Sequence, residues 1–241
     1  MAVAAEEIAK FDRLAASWWD PAGPMAPLHA LNPARLEVIE QALRRRFDRA
    51  RDTTRPLQGL AVLDVGCGAG LVAEPLARLG AEVTGVDAAA QSIAAARAHA
   101  AAEGLSIRYE IAALEDRHEL PGPFDAVLAL EVVEHTPEPE ELIRRCVARL
   151  APGGLLILST LNRTARAFAG AIVGAEYVLG WLPRGTHDWR RFVRPAELAA
   201  MVRDAGLRPI RIQGLALDRR TGRFVPSRDV SINYLLIAAK D

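Results

Sequence analysis

The decapeptide Ala61-Val62-Leu63-Asp64-Val65-Gly66-Cys67-Gly68-Ala69-Gly70 limits the folds open to this chain more than any other stretch. Ala61 to Val65 reads as a short buried strand, apolar except for Asp64. Glycines at alternate positions let the backbone turn sharply, and Leu71 to Leu79 continues with helical spacing. A strand, a glycine turn and a helix start make a unit that presents backbone N–H groups to a ligand. A Cβ there would hold the ligand off the backbone. The spacing is G-x-G-x-G, not the G-x-G-x-x-G of dinucleotide sites. A second acid, Asp87, closes the next apolar run, Glu82 to Val86. It stands ~20 residues past the glycines, where a carboxylate accepts from a ribose diol.

The D-x-G-x-G-x-G pattern with Asp87 resembles the S-adenosylmethionine (SAM) site of class I methyltransferases. That resemblance implies cofactor contacts at Asp64, Gly66, Gly68 and Asp87, with Asp64 holding the loop or the amino end of the methionine part. Two other readings stay open: a glycine turn that binds nothing, and an NAD-type oxidoreductase. The second lacks the sixth-position glycine and any hydride-handling residues.

From 61 to 161 strand and helix alternate. Helices are expected over Gln91–Ala102 and Glu138–Leu150, and strands over Ser106–Ile111, Phe124–Leu130 and Leu155–Leu158. Repeated βα units imply a parallel sheet with helices on both faces and ligands beyond the strands' carboxyl ends. Residues 1–60 read as a helical cap, with helices over Glu6–Ser17 and from Asn32-Pro33 to Phe47, then a charged linker over 48–58. Arg35 falls in the first turn of that second helix, a poor place for a cation on dipole grounds, which hints at an anionic partner. Residues 162–193 break the alternation with an apolar stretch flanked by arginines. Beyond it come a helix from Pro195 to Ala205 and two strands, Leu207–Leu215 and Ser231–Ala239, joined by a polar loop. The expected fold is a Rossmann-like α/β domain spanning 1–241, its seven-stranded sheet mostly parallel with an antiparallel last strand.

Glu131-Val132-Val133-Glu134-His135 follows the fourth strand and so lies on the pocket rim. Coiled into a helical turn, Glu131, Glu134 and His135 share one face. Two carboxylates and an imidazole there suit magnesium or another divalent cation. The alternative is a capping turn with solvated acids and a histidine that only orients substrate.

Here the resemblance extends to the bifunctional O-methyltransferases of ubiquinone biosynthesis. It rests on Trp18-Trp19-Asp20, Asn32-Pro33, Arg35-Leu36, the glycine loop, Glu131, Glu134-His135, Ser159-Thr160-Leu161-Asn162-Arg163 and Gly185-Thr186-His187-Asp188, among matches over nearly the whole chain. It implies SAM contacts at Arg35, Gly66, Asp87 and Leu130, where relatives often carry Met. It implies methyl transfer to ring hydroxyls of polyprenylated phenols or catechols, 3-demethylubiquinol included; the alternative is another small phenolic substrate. A metal held by Glu131, Glu134 and His135 would favour the phenolate; without metal, His135 is the general base. Because such a substrate lives in the bilayer, residues 164–191 read as a lid, an interfacial membrane contact, or both. That places the chain in the cytoplasm against the inner membrane, with a biosynthetic complex as a further partner. A non-catalytic lipid-binding role is disfavoured by the full Glu131/Glu134/His135 set.

Composition trims the remainder. Thirty basic against thirty acidic side chains leave no bulk field to attract nucleic acid. Cys67 and Cys146 form neither a C-x-x-C pair nor a disulfide frame. The N-terminus has no signal-peptide pattern, and no apolar run reaches the ~20 residues of a membrane span.

Overall fold

The apolar runs of the first half become five parallel strands: β1 (Ala61–Val65), β2 (Glu82–Asp87), β3 (Arg108–Ile111), β4 (Phe124–Leu130) and β5 (Leu150–Leu161). The last third adds β6 (Arg208–Asp218), β7 (Arg223–Ser227) and β8 (Asn233–Ala239). These assignments come from a computed structural model that describes residues 17–50, 53–112, 120–168 and 188–241. The sheet order is β3-β2-β1-β4-β5-β8-β6-β7, and β8 runs antiparallel between β5 and β6. The α/β class and the reversed final strand are as expected.

The helices are α1 (Ala26–Arg46), α2 (Ala73–Arg78), α3 (Ala90–Ala102), α4 (Pro139–Arg149) and α5 (Pro195–Asp204). They cover both faces, which is why the central strands carry nearly unbroken apolar runs. On one face Val38 and Leu43 of α1, Leu76 of α2 and Ile93 of α3 pack on Leu128 and Ile157. On the other, Ile143 of α4 and Leu198 and Val202 of α5 pack on Val127 and Leu156.

Three expectations need correction. Among the described residues the sheet has eight strands, where seven were expected. The loop after β6 hides β7, a short edge strand pairing Leu215 with Pro226 and Leu217 with Phe224. Proline survives there because an outer edge needs no donor. Next, α1 begins at Ala26, with Pro27 rather than Pro33 in its first turn. Pro33 sits inside the helix, so Arg35 lies well past the N-terminal turn and the dipole argument for an anionic partner fails. Finally, the charged segment before β1 is not a bare linker. Leu57 is fully buried and donates its N–H to the Leu79 carbonyl at 2.9 Å.

The expected first helix and most of the 164–191 segment lie outside the described residues. At that segment's start, Ala165–Ala167 makes one helical turn, capped by Thr164, whose Oγ1 accepts from the Ala167 N–H at 3.0 Å. Among the described residues, no helix is long and apolar enough to cross a membrane.

Candidate functional site

The carboxyl ends of β1, β2, β4 and β5 meet on one rim, and the residues singled out in the sequence gather there. The glycine loop leaves β1 with Gly66, Gly68 and Gly70 at φ 70°, 54° and 89°, a left-handed region that side chains rarely tolerate. The space that a Cβ would take is filled by the protein itself. A Cβ on Gly66 would collide with Val132, one on Gly68 with the Trp18 ring, and one on Gly70 with the Tyr109 hydroxyl.

The loop's donors are also engaged internally, which corrects the expectation that they face a ligand. The N–H groups of Gly66 and Cys67 both reach the Val86 carbonyl, at 2.8 and 3.1 Å. The Gly68 N–H donates to Asp87 Oδ2 at 2.8 Å, and the Gly70 N–H to the Cys67 carbonyl at 2.9 Å. A pyrophosphate needs free amides at this turn. A loop that has directed four of them inward does not cradle a phosphate, which removes the ground for a dinucleotide site. What stands beside it for a ligand is carboxylate oxygen, which suits a cation. Asp87 is a brace as well as a candidate ribose partner: its Oδ1 accepts the Ala89 N–H at 2.8 Å, so it ties the end of β2 to the loop.

Beside the loop lies a buried charged group. Asp64, near the end of β1, is buried, and its Oδ2 has no hydrogen-bond partner. Burial, then the nearby Asp87 charge, push its pKa up to about 7 against the opposing pull of Arg35. Arg35 reaches the rim from α1 and is itself buried. Its guanidinium donates to Asn32 Oδ1 at 3.1 Å and to Glu131 Oε1 at 2.8 Å, while its Nε is left without a partner. An unpaired buried carboxylate oxygen and an unpaired guanidinium N–H are each costly to keep. Together they fit the ammonium and carboxylate of an amino-acid ligand such as the methionine part of SAM. Leu130, the last residue of β4, is nearly buried and pairs with Ser159 across the sheet.

Glu131 follows at φ 56°, a left-handed conformation unusual for its type. Its backbone is held by its N–H to the Ser159 carbonyl at 3.0 Å, and its Oε1 takes the Ser159 hydroxyl at 2.8 Å. Three anchors on one carboxylate residue over-determine the strain, the pattern found at functional positions. The turn then tightens into a 3₁₀ helix over Val133–His135. Glu134 points inward and is buried, with no well-formed hydrogen bond to either oxygen although Glu131 and Thr160 lie beside it. Burial and then the Glu131 charge push its pKa well above the ordinary carboxylate value.

The expected ligand trio of Glu131, Glu134 and His135 is not assembled in this arrangement. The left-handed residue puts Glu131 outside the helical turn, so spacing no longer aligns the three side chains. The two glutamates meet, but no three His, Cys, Asp or Glu side chains among the described residues form a metal-holding group. Asn32 and Trp18 are contributors to the rim that the sequence did not assign to it, whereas Ser159 falls at a strand's carboxyl end, as expected from the sequence.

Comparison with known proteins identifies the family and the fold. A model of the methyltransferase domain matches residues 35–212. A ubiquinone biosynthesis O-methyltransferase of Methylobacterium nodulans is 49% identical over 235 residues, 98% of this chain and 94% of that protein. One from Caulobacter vibrioides is 48% identical over 239 residues, with the same coverage of 98% and 94%. Among solved structures, the SAM-bound magnesium protoporphyrin IX methyltransferase of Synechocystis PCC 6803 superposes with a TM-score of 0.64 at 19% identity, over 100% of both chains. The [4+2]-cyclase SpnF superposes at 0.59 with 20% identity, over 85% of this chain and 80% of that one. At that identity these two share the fold, and their different chemistries show that fold alone does not fix the reaction.

Proposed function

The chain belongs to the ubiquinone biosynthesis O-methyltransferase family, and on that premise we propose that it transfers the methyl of SAM to a ring hydroxyl of a polyprenylated phenol or catechol, 3-demethylubiquinol among them. The observation that carries the reading is the glycine loop with its amides turned inward, flanked by an unpaired Asp64 oxygen and an unpaired Arg35 Nε. That surface favours a ligand bearing an amino acid and positive charge. SAM, when bound, supplies an electrophilic methyl on a sulfonium. Arg35 would hold the carboxylate of its methionine part, Asp64 the ammonium, Asp87 the ribose hydroxyls and Leu130 the adenine face, with the turn of Gly66 and Gly68 alongside.

A phenol with a pKa near 10 is a weak nucleophile at neutral pH. His135, on the rim turn after β4, takes the phenolic proton as the methyl transfers. Glu134 is buried in the same turn, and its burial and the Glu131 charge disfavour its ionised form. Ser159 and Arg35 fix Glu131 at the edge of the same pocket.

The test is transfer of labelled methyl from SAM to a short-tailed demethylubiquinol and to a tail-less catechol. The tailed substrate is expected to show a kcat/KM at least tenfold higher. Turnover of the tail-less ring alone would leave a methyltransferase of another small phenol.

Residues 164–191 supply a membrane-surface contact in this proposal, because the substrate's isoprenoid tail partitions into lipid and the segment is apolar between arginines. At its near end Arg163 pairs with Glu197, and Arg166 with Asp229 at 3.3 Å. The contact therefore rests on the apolar run more than on those two cations. It would hold the enzyme to the cytoplasmic face of the inner membrane, beside other proteins of the same biosynthesis. Deleting 164–191 is expected to abolish co-sedimentation with anionic vesicles and to leave S-adenosylhomocysteine affinity within about threefold. Equal sedimentation of the deletion variant removes the membrane role.

A further inference from the structure

Building on the cofactor reading above, we propose that Trp18 is a wall of the cofactor site, and that Trp19, His29 and His99 form a clasp that holds this wall against the glycine loop. Tandem tryptophans near a chain end ordinarily cap a core, but Trp18 caps neither face of the sheet. It joins Met25, Ala69 and Leu71 in a small cluster of its own, set on the loop. Three carbons of its six-membered ring stand within 3.0 Å of where a Gly68 Cβ would be, so the indole rests directly on that bare backbone.

With the loop's amides turned inward, the unpaired Asp64 oxygen and Arg35 Nε mark where a ligand would lie, and the Trp18 ring packs on Gly68 of that same loop. An aromatic ring is a favourable neighbour for a desolvated cation. The ligand class expected here carries two positive centres, a sulfonium and an ammonium. Trp18 would therefore recognise charge on the cofactor as well as exclude water from it.

The wall is fastened at several points. The His29 Nε2–H donates to the Trp18 carbonyl at 2.8 Å. The Trp19 indole lies flat on the His99 imidazole, with ring centres 3.6 Å apart and planes 3° from parallel. It also meets His29 edge-on at 6.5 Å. His99 is positioned in turn by Glu74, whose buried carboxylate lies 2.8 Å from Nδ1. The tandem tryptophans are thus pinned to α1 and α3, and through Glu74 to α2. Trp18 is buried where it sits on Gly68, so a clasp that opens would free the wall and speed cofactor exchange.

The test uses the full chain and measures SAM and S-adenosylhomocysteine binding by calorimetry, with rates from stopped-flow tryptophan fluorescence. Trp18→Leu keeps apolar bulk but removes the ring. It is expected to weaken SAM at least tenfold and the uncharged thioether product by less, while Trp18→Phe stays within about threefold of wild type for both. His99→Ala leaves the wall intact and frees Trp19; both association and dissociation should speed up at least fivefold, with Kd within threefold. Trp18→Leu binding both ligands within twofold of wild type, or more tightly, overturns the wall. Unchanged rates in His99→Ala overturn the clasp. Wild-type protein that binds neither ligand overturns the cofactor reading itself, and this proposal with it.

Discussion

Replacing Arg35 by Ala is expected to cost the protein about 2–3 kcal/mol of stability and at least about thirtyfold in S-adenosylhomocysteine affinity, and the two losses have different origins. Arg35 is buried and pairs with Glu131 at 2.8 Å. Removing one partner of a buried pair strands the other charge, at a typical cost of ~3–5 kcal/mol. The Glu131 side chain keeps 22% of its exposure, which moderates that figure. The affinity loss arises from the unpaired Nε and the cation it belongs to, the one guanidinium placed beside Asp64 to take a ligand carboxylate. Truncating a desolvated, hydrogen-bonded charge costs a complex ~2–5 kcal/mol, or thirtyfold upward.

A second substitution separates the two. In Arg35→Ala/Glu131→Gln no charge is stranded, so urea denaturation should return about 1–2 kcal/mol of the lost stability, while calorimetry should show affinity still absent. If Arg35→Ala destabilises the fold but binds S-adenosylhomocysteine within threefold of wild type, Arg35 serves Glu131 alone. The competition is built into the geometry. If the guanidinium that holds Glu131 also takes the ligand carboxylate, cofactor binding and the placement of Glu131 are energetically coupled.

The sequence showed the parts of this site but not its internal contacts, and the boundary between them is physical. Alternating apolar runs, the glycine turn and the acid at the end of β2 are local patterns set by backbone geometry, so they read correctly. What the glycines make room for is tertiary. Val132, Trp18 and Tyr109 come from three distant segments, and no spacing rule connects them to Gly66, Gly68 and Gly70. Local rules also misled in places. Asn32-Pro33 has the chemistry of a helix start, yet Pro27 lies one turn and a half earlier and begins the helix. Glu131, Glu134 and His135 have helical spacing, but one residue at φ 56° takes the first of them off the shared face. The strand β7 was hidden because five residues with arginine, proline and serine among them look like loop until a neighbouring edge is there to pair with.

If Asp64 takes the ligand's ammonium, the affinity for S-adenosylhomocysteine is expected to rise about tenfold between pH 6.0 and 7.5. Its carboxyl has a pKa of about 7 in the folded chain against an ordinary 3.8, mainly through burial. An acid whose pKa is raised on folding binds its proton more tightly when folded. Its contribution to stability is full below the unfolded value and is lost as pH climbs through about 7. The ligand-free protein therefore becomes less stable across that window as an unpaired carboxylate is forced to ionise. An ammonium reverses the sign, since it binds the ionised form and lowers the pKa again. At pH 6.0 only about a tenth of the sites are ready to receive it, and at 7.5 about three quarters; above pH ~8 the ligand's own amine begins to lose its proton. Asp64→Asn should bind weakly with an almost flat profile, because the amide keeps the shape and cannot titrate. Calorimetry in two buffers of different ionisation enthalpy should show close to one proton released per wild-type binding event near pH 6, and none in the variant. A wild-type profile as flat as that of the variant would place the ammonium elsewhere, and the unpaired Asp64 oxygen would then be a brace for the loop rather than the site's anionic end.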